Sequence, residues 1–237
     1  MAYAMVQAGA RVAVSSRDGR RARAAAIELG PTALGVALDV RDVGSVSAAV
    51  DAVYEELDGL DVLVNNAGIG MRTVNPRFMT DPQPFWEVSD AGFRDVLATK
   101  AIGTFLVSRE VVPRMLNDGG GRVITVSMNE TTMVRRGFVP YGPSGAAVEA
   151  FARVMAADLE GTSVTANILL PGGATATGMV PDDVDERVRE HLLDPSVMGP
   201  PTVWLASPDA DGVHNERIVA RDFTDWLRAR GRRADDR

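Results

Sequence analysis

The chain has 237 residues, no cysteine and a net charge of −7. That length supports a sizeable core, while the missing cysteines exclude disulfides and thiolate metal sites and the acidic balance argues against nucleic acid as a partner. No run approaches the ~20 apolar residues of a membrane span, and the start MAYAMVQAGARVAV has neither the basic region nor the cleavage site of a signal peptide, so a cytoplasmic protein is expected.

In chain order, Met1 to Gly9 reads as a helix stopped by its glycine. Arg11 to Ser15 reads as a strand, Arg20 to Leu29 as a helix closed by Gly30, and Ala33 to Leu38 as a strand. Val46, Val50, Val53 and Leu57 recur at helical spacing, so Val46 to Leu57 is a helix, followed by strand Asp61–Asn65. A proline-containing loop runs from Gly70 to about Glu87. Ser89 is a candidate N-cap for a long helix to about Leu116. Strand Arg122–Val126, helix Ser144–Leu159 and strand Val164–Leu170 follow, then short helices near Val184–Leu193 and Thr202–Ala206 and a last strand, Arg217–Ala220. The basic tail RARGRRADDR reads as a frayed terminus, and the acidic run PDDVDERVRE as a solvated helix face. His191 and His214 stand in no metal-binding spacing. Strands alternating with helices, and too apolar for a one-sided sheet, predict one α/β domain over 1–237 with a doubly wound parallel sheet.

Three motifs fall on this frame: Asn65-Asn66-Ala67-Gly68 after a strand, Tyr141 at the start of a helix, and Pro171-Gly172-Gly173 after the strand ending at Leu170. In this order they resemble the short-chain dehydrogenase/reductase (SDR) family over nearly the whole chain. The resemblance implies a Rossmann-like fold, a nicotinamide dinucleotide and an Asn-Ser-Tyr-Lys tetrad that moves a proton while the nicotinamide moves hydride. The family's first strand and its glycine-rich turn have no counterpart in this sequence, either because they are lost or because a true upstream start was missed. Because that strand is central, Arg11–Ser15 and Asp61–Asn65 are expected to pair directly with each other, since dry unpaired backbone costs ~1–3 kcal/mol per group.

By the same resemblance, Ser16, Arg17, Asp39, Asn66, Gly68, Pro171 and Gly172 are the candidate dinucleotide contacts. Ser16 and Arg17, with no acidic residue at that turn, suit a 2′-phosphate, hence NADP over NAD. These residues serve either as a surviving site or as a relic that supports the sheet, and without the pyrophosphate turn no cofactor is expected.

Of the tetrad, Tyr141 alone stands in its expected place. The family serine position holds Met128, with Ser127 one place earlier, so either the serine is lost or a local bulge lets Ser127 serve. The family asparagine position holds Lys100 and the family lysine position holds Gly145. Bringing a tyrosine from its ordinary value of about 10 to neutrality takes ~4 kcal/mol, which a cation at ~4 Å supplies. Lys100 could reach over Gly145 toward Tyr141, a lysine moved rather than discarded; otherwise it is a solvated helix residue.

The expected function is redox-neutral acid–base catalysis (isomerase, lyase, dehydratase or cyclase type) on a small-molecule carbonyl or enol substrate, through Tyr141 aided by Lys100 or Ser127. An NADP-dependent oxidoreductase and a non-catalytic SDR-like partner subunit are the alternatives. The resemblance further implies a homo-oligomer, dimer or tetramer. It also implies a substrate lid from Phe78, Phe85 and Trp86 and from Thr175–Met179 with its downstream helix; Met133, Met179 and Trp204 are either core packing or substrate contacts.

Overall fold

Polar side chains cap several of the helices in a computed structural model that describes residues 1–231. Helix α1 (Ala2–Gln7) leads into strand β1 (Val12–Ser16). The Asp18 carboxylate accepts from the Arg20 amide and opens α2 (Gly19–Leu29), which ends at Gly30 with φ 113°. Strand β2 (Ala33–Ala37) precedes α3 (Val43–Leu57), whose N-cap Asp42 accepts from the Ser45 amide. After β3 (Val62–Asn65), Ser89 caps the amide of Gly92 and opens α4 (Asp90–Leu97). A π-helical turn, Ala98–Ile102, joins α4 to α5 (Gly103–Asn117), so one long helix forms as expected, with Lys100 in its widened turn.

Strand β4 (Gly121–Val126), a short α6 (Glu130–Met133) and the long α7 (Tyr141–Asp158) come next. Strand β5 (Val164–Leu170), α8 (Glu186–Arg189), α9 (Gly199–Ala206), β6 (Arg217–Val219) and α10 (Phe223–Ala229) complete the described chain. All strand pairs are parallel. Alternation along β4 feeds two cores. Val123 packs with Val46, Val50, Val111 and Met155 under α3, α5 and α7, whereas Ile124 packs with Leu205, Ile218 and Phe223 under α9 and α10. Helices therefore cover both faces of the sheet, as a doubly wound fold requires.

Several expectations are corrected. β1 does not pair with β3: the strands form a two-stranded sheet, β1-β2, and a four-stranded sheet, β3-β4-β5-β6. The expected penalty applies to dry backbone, and here Val12, Ala13, Val14, Val62, Leu63 and Val64 are all partly exposed. Closing the gap would drag β1 and β2 with their helices by about one strand spacing, ~4.8 Å. That shift would break the seam where Val40, Val46 and Val50 meet Leu106, Val107 and Val111. Arg11 instead reaches the carbonyls of Glu56 and Leu57 at the end of α3. The helix expected near Val184–Leu193 shrinks to Glu186–Arg189. In the basic tail, Arg228 and Ala229 belong to α10 and Arg230 lies over the Trp226 ring and pairs with Glu216; residues 232–237 lie outside the described residues.

The seam between α3 and α5 tolerates no extra atom. A Cβ at Gly103 would meet Val40 Cγ2 at 2.6 Å and Val40 Cβ at 2.9 Å. Gly103→Ala should therefore lower stability by about 1–3 kcal/mol through overpacking, read as a lower urea midpoint, and Val40→Ala in the same chain should restore part of the loss.

Candidate active site

The π-helical turn points the side chain of Lys100 inward, where it is 8% exposed. Such turns widen a helix by one residue and recur at functional sites. Lys100 is the only lysine among 25 basic residues, a signal that was present in the sequence and that the motif comparison passed over. Its methylenes lie on Gly68, where a Cβ would meet Lys100 Cγ at 3.1 Å. Its Nζ sits 4.4 Å from the centroid of the Tyr141 ring. Among the described residues that nitrogen makes no hydrogen bond and no ion pair.

This arrangement differs from a tyrosine activated by a lysine. Burial lowers the Lys100 ammonium from 10.5 to about 8, and burial raises the Tyr141 phenol above 10. The amine, not the phenol, is the group that titrates near neutrality. The phenol O–H points toward the Met179 sulfur at 4.0 Å, a weak contact.

The space over Gly145 is not used by Lys100, contrary to expectation. Met128 fills it, and its Cε would overlap a Cβ placed on residue 145. With Met128 buried there, a lysine at 145 has no room for its stem. Ser127 is turned elsewhere: its Oγ–H donates to Glu149 Oε2 at 2.6 Å, and Glu149 pairs with Arg217 at 2.7 Å. Arg217 also donates to the Met128 carbonyl. Ser127 thus belongs to a clamp between β4, α7 and β6, with its hydroxyl bonded to Glu149 rather than to Tyr141.

The site is capped. Met179 packs on Gly70, and the Arg72 guanidinium holds the segment around it by donating to the carbonyls of Gly178 and Val180 and to Asp182 at 2.9–3.1 Å. Thr80 donates to Asp183 at 3.0 Å. Two carboxylates of the acidic run thus fasten this cap rather than merely facing solvent. Of the expected lid aromatics, Phe85 and Trp86 are exposed and Phe78 is buried against Phe138. Trp204 is core, packed on Phe223 and Trp226. Two surface depressions, one between α2 and β2 and one beside Trp86, are lined by neither Lys100 nor Tyr141. Among the described residues no cluster of His, Cys, Asp or Glu could hold a metal.

The candidate dinucleotide residues do not converge on an open cradle. Asp39 gives both carboxylate oxygens to Arg41, at 2.7 and 2.9 Å, which lowers it to about 2. Gly68 lies under the Lys100 stem, and Gly172 packs against Val219 and Arg221. The Pro171 carbonyl accepts from the Arg221 amide. The Ser16 hydroxyl accepts from the Asp18 amide, and Arg17 and Asn66 are exposed. In this conformation the residues present do not fit a bound nicotinamide dinucleotide.

A family model described as short chain dehydrogenase matches residues 1–187. The chain belongs to this family. An NADPH-dependent aldehyde reductase-like protein of Arabidopsis thaliana is 32% identical over 72% of this SDR chain and 60% of its own length. An inactive 2-(S)-hydroxypropyl-CoM dehydrogenase of Xanthobacter autotrophicus is 34% identical over 76% of this chain and 74% of its own. The fold matches a 3-ketoacyl-(acyl-carrier-protein) reductase from Brucella melitensis complexed with NADH. That match has a TM-score of 0.81 and 24% identity over 92% of this chain and 89% of that one.

A buried amine lowered to about 8 makes stability depend on pH with a defined sign. Between pH 8 and 10 the unfolded chain keeps the Lys100 proton and the folded chain has lost it, so stability rises with pH. The rise should be about 2–3 kcal/mol. Above 10 the raised Tyr141 works in the opposite sense. Lys100→Met should flatten the rise, as followed by urea unfolding at pH 8 and 10.

Proposed function

We propose that Lys100 and Tyr141 form an acid–base site for a redox-neutral reaction of a small carbonyl or enol substrate. The observation that carries this reading is a buried amine, free of any carboxylate among the described residues, over the ring of a phenol. At neutral pH a minor fraction of the amine, about a tenth, is unprotonated. That fraction takes a proton from the carbon next to the carbonyl, while the neutral Tyr141 O–H donates to the oxygen where negative charge gathers. The burial that raises Tyr141 suits it to donate rather than to ionise. Ser127 has no part in this scheme, because Glu149 holds its hydroxyl.

A second reading, NADP-dependent oxidoreduction, draws on the relatives, one named as NADPH-dependent and one solved with NADH. It requires Lys100 to leave Gly68 and the cap to open. The relative named inactive favours a third reading, a non-catalytic subunit. A cytoplasmic location and, for the two catalytic readings, a homo-oligomer belong to this proposal; among the described residues no helix is long and apolar enough to cross a membrane.

Incubated with propanal in deuterated buffer, the protein should exchange the C2 protons, with a rate that climbs with pH to a plateau above about 8. Lys100→Met should abolish the exchange and Tyr141→Phe should slow it ~10²–10³-fold. Propanal reduction on addition of NADPH, with no exchange in its absence, would replace this reading by the second.

A further inference from the structure

Lys100 has the surroundings of a nucleophile as well as of a base. Three features of its setting bear on this. The side chain is more than nine-tenths buried, and among the described residues its nitrogen has neither a carboxylate nor a hydrogen-bond acceptor. Lysines that serve as charge partners are held by such groups; a lysine kept apart from them holds its lone pair available. The Tyr141 ring lies under the nitrogen, so a cation formed there keeps a favourable aromatic face. Met179, on a segment latched through Arg72, lies 4.0 Å from the Tyr141 hydroxyl, on the ring under the nitrogen.

We propose that Lys100 forms a covalent imine with small aldehyde or ketone substrates, with Tyr141 as the proton donor to the departing oxygen. The inference rests on the acid–base reading of the same site and adds a covalent step to it. The amine lone pair attacks the carbonyl carbon; a C–N bond forms and the C=O π pair moves to oxygen, which takes the Tyr141 proton. The nitrogen of this carbinolamine then gives up a proton, which restores the phenol. A second proton from the same phenol lets the C–O bond break and water leave, and the phenolate then takes back from solvent the proton that the ammonium released before attack. The sum is R₂C=O + Lys-NH₃⁺ → R₂C=NH⁺-Lys + H₂O, with no change of oxidation state. The positive charge stays at the nitrogen, over the ring, and acidifies the neighbouring C–H bonds.

The sequence makes the test clean, because Lys100 and the amino terminus are its only primary amines. The full chain is incubated with propanal and sodium cyanoborohydride, and the site of N-propylation is found by peptide mapping. The expected result is one propyl group on Lys100, absent in Lys100→Met and in Lys100→Arg, which keeps the charge without a nucleophilic amine. Tyr141→Phe keeps the ring and loses the proton donor, so labelling of Lys100 should persist but slow by tenfold or more. Labelling confined to the amino terminus of the wild-type chain overturns the proposal and needs no variant to fold. Exchange of propanal C2 protons without a Lys100 adduct also overturns the imine but leaves the acid–base reading. An adduct without exchange supports the imine and sinks that reading.

Discussion

The candidate site is built around one desolvated amine. Burying Lys100 without a carboxylate moves its ammonium from 10.5 to about 8, a change of ~3 kcal/mol against the charged form. The aromatic face of Tyr141, at 4.4 Å, returns ~0.5–2 kcal/mol. Desolvation wins, so the nitrogen spends part of its time as a free amine near neutrality. A surface lysine, or one paired with an aspartate, would stay protonated across the same range. The arrangement demands two things of its surroundings: a glycine at 68 for the stem to lie on and a helix widened at residue 100 to turn the side chain inward.

The departures from the family pattern support one another physically. Gly145 and Met128 are two halves of one change, because the Met128 side chain fills the volume that a longer residue at 145 would need. Moving the serine one place back, to Ser127, hands its hydroxyl to Glu149 and ties three elements together through Arg217. Lys100 on Gly68 covers a surface that the resemblance assigned to the dinucleotide. Each substitution is matched by a neighbour that occupies the vacated space or takes up the vacated hydrogen bond. That matching is what distinguishes a repacked site from an eroded one, in which holes and unpaired polar groups cost free energy.

The scaffold meets this site from two separately hydrogen-bonded sheets. Side chains carry much of the continuity between them: α3 lies along α5 through Val46, Val50, Val107 and Val111, and Val40 abuts Gly103 one turn beyond Lys100. The packing that holds β1 and β2 in place therefore bears on the same helix that presents the amine. Because the strand edges at the gap reach water, the sheet loses hydrogen bonds there without bearing the cost of dry polar groups.

Periodicity and caps were enough to read most of the elements, because they are set locally. Asp18, Asp42 and Ser89 bond amides two or three residues on, and Val46 and Val50 mark a buried face by spacing alone. The α/β architecture, the family and the closeness of Lys100 to Tyr141 followed from residue order and resemblance. The helix Phe223–Ala229 escaped notice because its stability comes from Trp204, Trp226 and Phe223 packing together, which no local pattern announces. The tertiary structure alone decided that β1 and β3 stay apart, that Met128 fills the space at Gly145, and that the lysine is the group shifted toward neutrality. Those outcomes depend on which groups lose water and which volumes are already filled, and both are properties of the packed chain.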